Sequence, residues 1–169
     1  MLKIARSICD LNLREIMDVY EESLLLEAAE RYGHEDANVA LLNAEQDFRC
    51  YLKQVFFQTD GAFCAVWETD NKYLAALRME PYRKGLLIAG IETKPTQRRK
   101  GYAKMLLDEV IAYLQGENNC LYSHVNIKNI ASMRLHEACG FRKILDYAVY
   151  LDGSVDDKCC TLCYRECVE

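Results

Sequence analysis

The segment from Gly85 to Ile127 restricts the fold more than any other part of the chain. "GLLIAGI" is a continuous apolar run, as expected of a strand covered on both faces. Beyond Pro95 the pattern changes. Ala103, Leu106, Leu107, Val110, Ile111 and Leu114 recur at i, i+3, i+4, i+7, i+8 and i+11, which predicts an amphipathic helix over 101–115. "CLYSHVNI" then reads as a second strand. Strand, helix and strand in this order imply a crossover between parallel neighbours in one sheet.

The flanking segments add antiparallel arms. Residues 2–8 read as a short strand. Asn12 precedes Glu15 by three, a capping-box pattern, and Leu13, Ile16, Met17, Tyr20 and Leu24 follow at helical spacing. A second helix is predicted from Asn38 to Phe57. "AFCAVWE" and "KYLAALRMEPY" flank "TDN", a hairpin turn signal. "NIASMRLHEAC" reads as a helix ended by Gly140. "FRKILDYAVYLD" and "KCCTLCYRE" read as a closing hairpin around "GSVD". The order β-α-α-β-β-β-α-β-α-β-β predicts an α/β protein of the α+β, three-layer type. Its sheet is mixed, mostly antiparallel and seven-stranded, with one parallel crossover from the fourth to the fifth strand and helices on both faces. No repeat or linker divides the 169 residues, so a single domain over 1–169 is expected.

Charge narrows the partners. The net charge is −5, and nucleic acid binding needs a broad basic face. No apolar run approaches the ~20 residues that span a bilayer, and "MLKIARSICDLNLREI" lacks the apolar core of a signal peptide. The expectation is a cytoplasmic protein with neither nucleic acid nor membrane as a partner. Its nine cysteines should then stay reduced. Cys160 and Cys163 have CxxC spacing, but on a strand they point to opposite faces, and no second ligand pair with zinc spacing exists. No metal is expected.

One basic cluster stands out in this acidic chain: Arg98, Arg99 and Lys100, followed at once by Gly101, Tyr102 and Ala103. A strand ends near Thr93 and a helix begins near Gly101. The first turn of that helix has free N–H groups and the positive end of the helix dipole. Gly101 and the small Ala103 let the backbone approach a ligand. Together these residues form a cradle for a phosphate or pyrophosphate. Neither G-x-x-x-x-G-K-[ST] nor G-x-G-x-x-G is present, so the ATP and dinucleotide fingerprints are missing.

"IETKPTQRRKGYAKMLLDEVIAYL" resembles the acetyl-CoA-binding segment of the GNAT superfamily of N-acetyltransferases, whose pattern Q/R-x-x-G-x-G/A is matched by Arg98, Gly101 and Ala103. "NIASMRLHEACGF" resembles the family's second signature, through Asn129, Ser132, His136, Glu137, Gly140 and Phe141. By that resemblance acetyl-CoA is the co-substrate. The backbone of Ile91 and Thr93 would pair with its pantetheine arm, residues 99–103 would hold its pyrophosphate, and Asn129 would meet the pantetheine region while also capping its helix. The implied function is acetyl transfer to a primary amine of a small molecule, by direct attack in a ternary complex. The alternatives are a protein N-terminus or lysine as acceptor, and a coenzyme A-binding sensor without turnover.

The chemistry needs a base for the amine proton and a donor for the departing thiolate. In the family the acid is commonly a tyrosine just before the Glu of the second signature. His136 occupies that position here, so the acid is His136 or one of Tyr102, Tyr122, Tyr147, Tyr150 and Tyr164. The base candidates are His124, on the strand after the crossover helix, and Glu92, between the two residues that would pair with the cofactor. Glu80, Tyr82 and the loop "RYGHEDAN" are candidates to line the amine side. The closing hairpin offers an edge through which two copies could pair.

Overall fold

Asp70 and Asn71, at the tip of the central hairpin, have φ of 50° and 60°. Two positive values are what a two-residue I′ turn requires, and Asn and Asp tolerate them better than most residues. This is the "TDN" signal, and it sets the register of the strands on either side. The computed structural model describes residues 1–115 and 120–165.

The strands are β1 (Leu2–Ala5), β2 (Phe63–Thr69), β3 (Lys72–Tyr82), β4 (Gly85–Thr93), β5 (Cys120–Asn126), β6 (Arg142–Leu145), β7 (Ala148–Val149), β8 (Val155–Asp156) and β9 (Cys159–Tyr164). The helices are α1 (Leu13–Val19), α2 (Glu21–Tyr32), α3 (Ala37–Gln54), α4 (Tyr102–Tyr113) and α5 (Ile130–Ala138). Seven strands form one sheet in the order β1-β2-β3-β4-β5-β9-β6, while β7 and β8 pair separately. The β4–β5 pair is parallel and every other pair is antiparallel.

The sheet carries a core on each face. Leu77, Met79, Ile88, Leu121 and Leu162 face α4, whose Leu106, Leu107 and Val110 are fully buried against them. On the opposite face Cys64, Val66 and Ala76 meet Ile16, Val19 and Leu24 of α1 and α2, with Leu52 of α3. Helices therefore cover both faces, as the crossover demands.

Several local expectations are corrected. The first strand stops at Ala5 rather than residue 8. The first helical run breaks at Tyr20 into α1 and α2. Only half of the capping box forms: Asn12 Oδ1 accepts from the Arg14 and Glu15 amides, but the Glu15 carboxylate turns away. It accepts instead from Lys72 Nζ at 2.7 Å and from the Tyr73 amide at 3.3 Å, being only 3% exposed. The second helix ends at Gln54, short of Phe57. The closing hairpin is interrupted by β7 and β8, and β9 inserts between β5 and β6.

Cys160 and Cys163 do lie in cores on opposite faces of the sheet. Seven described cysteines are free, but Cys120 is disulfide-bonded, against the expectation that all nine stay reduced.

The main departure concerns "GLLIAGI". It is a strand, but of its residues only Ile88 is fully buried. The cause is an irregularity in β4. Arg78 pairs with Gly90 and Met79 with Ile88, so Ala89 is an extra residue. Such a bulge bends and twists its strand. Pairing of β4 with β5 ends at Ile88 and Ser123, and beyond that point the two strands part.

Candidate active site

The separation of β4 from β5 opens a groove of about 770 Å³. Its walls come from Ile88–Thr93 on β4, Ser123–Asn126 on β5, the start of α4, the first turns of α5, and Glu22, Ser23 and Leu26 of α2. Of the residues singled out by sequence, Ile91, Glu92, Thr93, Arg98, Arg99, Gly101, Tyr102, Ala103, His124, Asn129, Ser132 and His136 all line it. They come from four separate segments, which the crossover brings together.

The start of α4 has unusual backbone geometry. Arg99 and Gly101 have φ of 62° and 86°, both left-handed, and Gly101 is the N-cap residue. Arginine rarely adopts that conformation, whereas glycine does so without steric cost. A Cβ at Gly101 would meet nothing within 4 Å. Among the described residues, no protein acceptor takes the amides of Arg99 through Lys104; the first helical amide bond is Met105 N–H to Gly101 O at 3.0 Å. Consecutive free amides at a helix start form a concave anion site.

The three cations contribute unequally. The Arg98 guanidinium is 2.6 Å from Glu22 Oε1. Lys100 donates to Gln97 Oε1 at 2.9 Å and does not line the groove. Arg99 makes no ion pair among the described residues, and it does line the groove.

Asn129 Oδ1 accepts from the Ser132 amide at 3.0 Å, so it caps α5 as well as facing the groove. His136 is wholly buried, with its ring edge-on to Phe141. Its Nδ1 is 2.8 Å from the Ser132 carbonyl oxygen. A carbonyl only accepts, so Nδ1 carries the hydrogen and, in the neutral ring, Nε2 is an unprotonated acceptor. Nε2 is buried and has no protein partner. Burial also lowers the pKa of this imidazole, opposing its charged form. A neutral His136 thus has no proton to give at Nε2, which weighs against it as the acid. Among the five candidate tyrosines, Tyr102 is the one lining the groove.

His124 sits immediately past the last β4–β5 pair. Its ring is edge-on to Tyr82 and Tyr150, with centroids 5.3 and 5.2 Å away. Both ring nitrogens are buried without a hydrogen-bond partner. Its pKa is lowered, first by burial and then by Arg83. Glu92 shifts the other way: burial raises its pKa, against a hydrogen bond from Ser23 and the charges of Arg78 and Arg98.

Glu80 and Tyr82 do not line the groove. Glu80 accepts from the Tyr51 hydroxyl at 2.6 Å, and Tyr82, 2% exposed, donates to the Val149 carbonyl. In "RYGHEDAN", Arg31 reaches a cavity, but His34 is exposed and Asp36 caps α3.

That cavity, of about 360 Å³, escaped the sequence reading. It lies between α2, α3 and β3 and shares Ser23 and Glu92 with the groove. Arg78 lies on its wall among the rings of Tyr20, Phe48 and Tyr51. An arginine inside the apolar run "YLAALRMEPY" was the available signal, because a cation on a buried strand needs a reason. Ser23, within an ordinary amphipathic helix, gave none.

A family model described as "Acetyltransferase (GNAT) family" matches residues 24–141. No curated protein matches the sequence significantly. Among solved structures, the PaiA N-acetyltransferase of Thermoplasma acidophilum, in complex with coenzyme A, is 16% identical, covers 98% of this chain and 99% of its own, and superposes with a TM-score of 0.64. The ribosomal-protein-alanine N-acetyltransferase of Brucella melitensis is 19% identical, with 97% and 98% covered and a TM-score of 0.63. At these identities the likeness establishes a shared fold.

Proposed function

Because the chain belongs to the acetyltransferase (GNAT) family, we propose that it uses acetyl-CoA to acetylate a primary amine of a small molecule by direct attack in a ternary complex. The observation that carries this reading is the meeting of two features in one groove: free amides at the start of α4, and a strand edge left open beyond Ile88. The amides of residues 99–103 suit a pyrophosphate, with Arg98 and Arg99 adding positive charge on the groove wall and Lys100 contributing only from outside it. The open edge of β4 at Ile91 and Thr93 suits an extended pantetheine arm bearing amide groups, which would bind as an added strand does. Asn129, Ser132 and the Nε2 acceptor of His136 line the far wall.

The co-substrate supplies an activated acetyl thioester. The amine nitrogen forms a bond to the acetyl carbon, the carbon–sulfur bond breaks, and the amine loses one proton while the thiolate gains one. An alkylammonium with a pKa near 10.4 must first give up a proton. We assign that proton to Glu92, which faces both the groove and the cavity beside it. A carboxylate whose pKa is raised by burial is a better base than an exposed one. Tyr102 is the donor we assign to the thiolate.

The test combines calorimetry with acetyl-CoA and thiol release over a panel of amines. Binding together with amine-dependent thiol release is expected. Binding without transfer to any amine would overturn the enzyme reading and leave a coenzyme A sensor. Glu92→Gln should lower kcat about 100-fold with acetyl-CoA affinity retained, the usual size of a general-base contribution. His124→Phe, which keeps the ring packing, should lose less; the reverse order would move the base to His124.

A further inference from the structure

Arg78 has more hydrogen-bonding capacity than the protein uses. Its Cζ lies 5.4, 5.3 and 5.5 Å from the ring centroids of Tyr20, Phe48 and Tyr51. Its side chain stands beside Gly90, where a Cβ would come within 3.0 Å of Nη2. Rings stabilise a guanidinium through its charge, but its in-plane N–H groups still need acceptors. Nη2 has only a marginal contact, with the Ala89 carbonyl at 3.5 Å. Nε is buried and completes no hydrogen bond of good geometry; nor does the buried Tyr20 hydroxyl, which stands beside the guanidinium and lines the same cavity. Among the described residues Arg78 makes no ion pair.

The other charges of the cavity are committed. Arg31 is 2.7 Å from Glu27 and 3.1 Å from Asp47. Glu80, the acidic residue nearest in sequence to Arg78, accepts from Tyr51. That leaves one cation, Arg78, and one desolvated carboxyl, Glu92, in a cavity at the small end for ligand pockets. The opposite-charge complement of this pair is a molecule with a carboxylate and an ammonium group a few ångströms apart.

Resting on the acetyltransferase reading above, we propose that the acceptor is a small amino acid or ω-amino acid. Its carboxylate is held by Arg78 and the Tyr20 hydroxyl, and its amine lies at Glu92, at the opening into the groove. A guanidinium recognises a carboxylate through two parallel N–H donors, which favours arginine over lysine here. Three rings around it hold the fork in place before the ligand arrives.

The experiment uses matched acceptors with acetyl-CoA: glycine against glycinamide, β-alanine against its amide, and 4-aminobutyrate against butylamine. For at least one pair the acid should be preferred by 10-fold or more in kcat/KM, and the best pair reads the spacing between Arg78 and Glu92. In Arg78→Gln that preference should fall to about one, with unchanged affinity for acetyl-CoA. Arg78→Lys, which keeps the charge but not the fork, should fall between. Equal acetylation of acids and amides, or a preference for the amides as a peptide N-terminus would show, overturns this proposal and leaves the acetyltransferase reading standing. So does an equal loss on both members of a pair in Arg78→Gln, which would make Arg78 structural. If no amine is acetylated, calorimetry with the same pairs decides: tighter binding of the acid, lost in Arg78→Gln, supports the carboxylate site, and equal binding overturns it.

Discussion

Replacing Gly101 by valine tests the cradle without a steric confound. At φ of 86° a glycine pays no steric penalty, and an added Cβ would meet no atom within 4 Å. The effect of valine is therefore conformational. Holding an L-residue in the left-handed region costs about 1–2 kcal/mol, and a β-branched side chain is among the least tolerant. The loop has two responses. If it keeps its shape, the variant loses about 1–2 kcal/mol of stability and keeps its grip on acetyl-CoA. If φ relaxes to negative values, the amides of residues 99–103 turn away and binding weakens. The second response is expected, because N-cap Gly101 precedes the first bonded turn of α4 and relaxation there breaks no bond deeper in the helix. The expected loss is about 10-fold or more in Kd, the equivalent of about 1.4 kcal/mol. Removing one cation should matter less, because an exposed charge pair contributes about 0.2–1 kcal/mol and Arg98 is already engaged by Glu22. Calorimetric titration of acetyl-CoA into Gly101→Val, Gly101→Ala, Arg98→Gln, Arg99→Gln and Lys100→Gln measures all five. A loss at Gly101→Val no larger than at any single cation would show that side-chain charge holds the anion and that the cradle argument is wrong.

Further outcomes follow from particular contacts. The pKa of Glu92 is raised by burial, so its folded state favours the protonated form. Its favourable contribution is present below the unfolded-state pKa and is lost as pH rises through the folded-state value. Glu92→Gln should therefore gain stability relative to wild type toward neutral pH, and wild-type kcat/KM should fall on acidification at a pH above the ordinary carboxylate range. Glu15 has the opposite sign: hydrogen bonding from Lys72 lowers its pKa, so its contribution is full above the unfolded value and lost as pH falls through the folded one. Glu15→Ala should cost about 1–2 kcal/mol by urea unfolding, since it leaves the buried Tyr73 amide without its acceptor, whereas Lys72, 65% exposed, returns to water. An Ala at Gly85 would place its Cβ 2.0 Å from the Cys120 carbonyl oxygen, at the first parallel pair. A loss of about 2–3 kcal/mol in unfolding free energy is expected, and a loss under 0.5 would mean that the parallel pair shifts freely.

Much of this molecule follows from periodicity and local stereochemistry alone. The crossover from "GLLIAGI" through the 101–115 pattern to "CLYSHVNI" dictated a parallel pair, and "TDN" dictated a hairpin. The succession of cations, glycine and alanine before a helix pointed to free amides, which the start of α4 displays. These features depend on neighbours in sequence, where 3.6- and 2-residue periods and positive φ angles leave a direct trace. Tertiary structure decided what depends on distant partners. The bulge at Ala89, which parts β4 from β5, is defined by register against β3 and appears in no local pattern. Glu15 matched a capping box, yet Lys72 and the Tyr73 amide took its carboxylate, because a desolvated charge binds the strongest donors within reach. His136 held the position of an acid, but the Ser132 carbonyl fixed its tautomer as an acceptor. The cavity around Arg78 needed residues from β3, α2 and α3 to converge, and only the folded chain brings them within a few ångströms of one another.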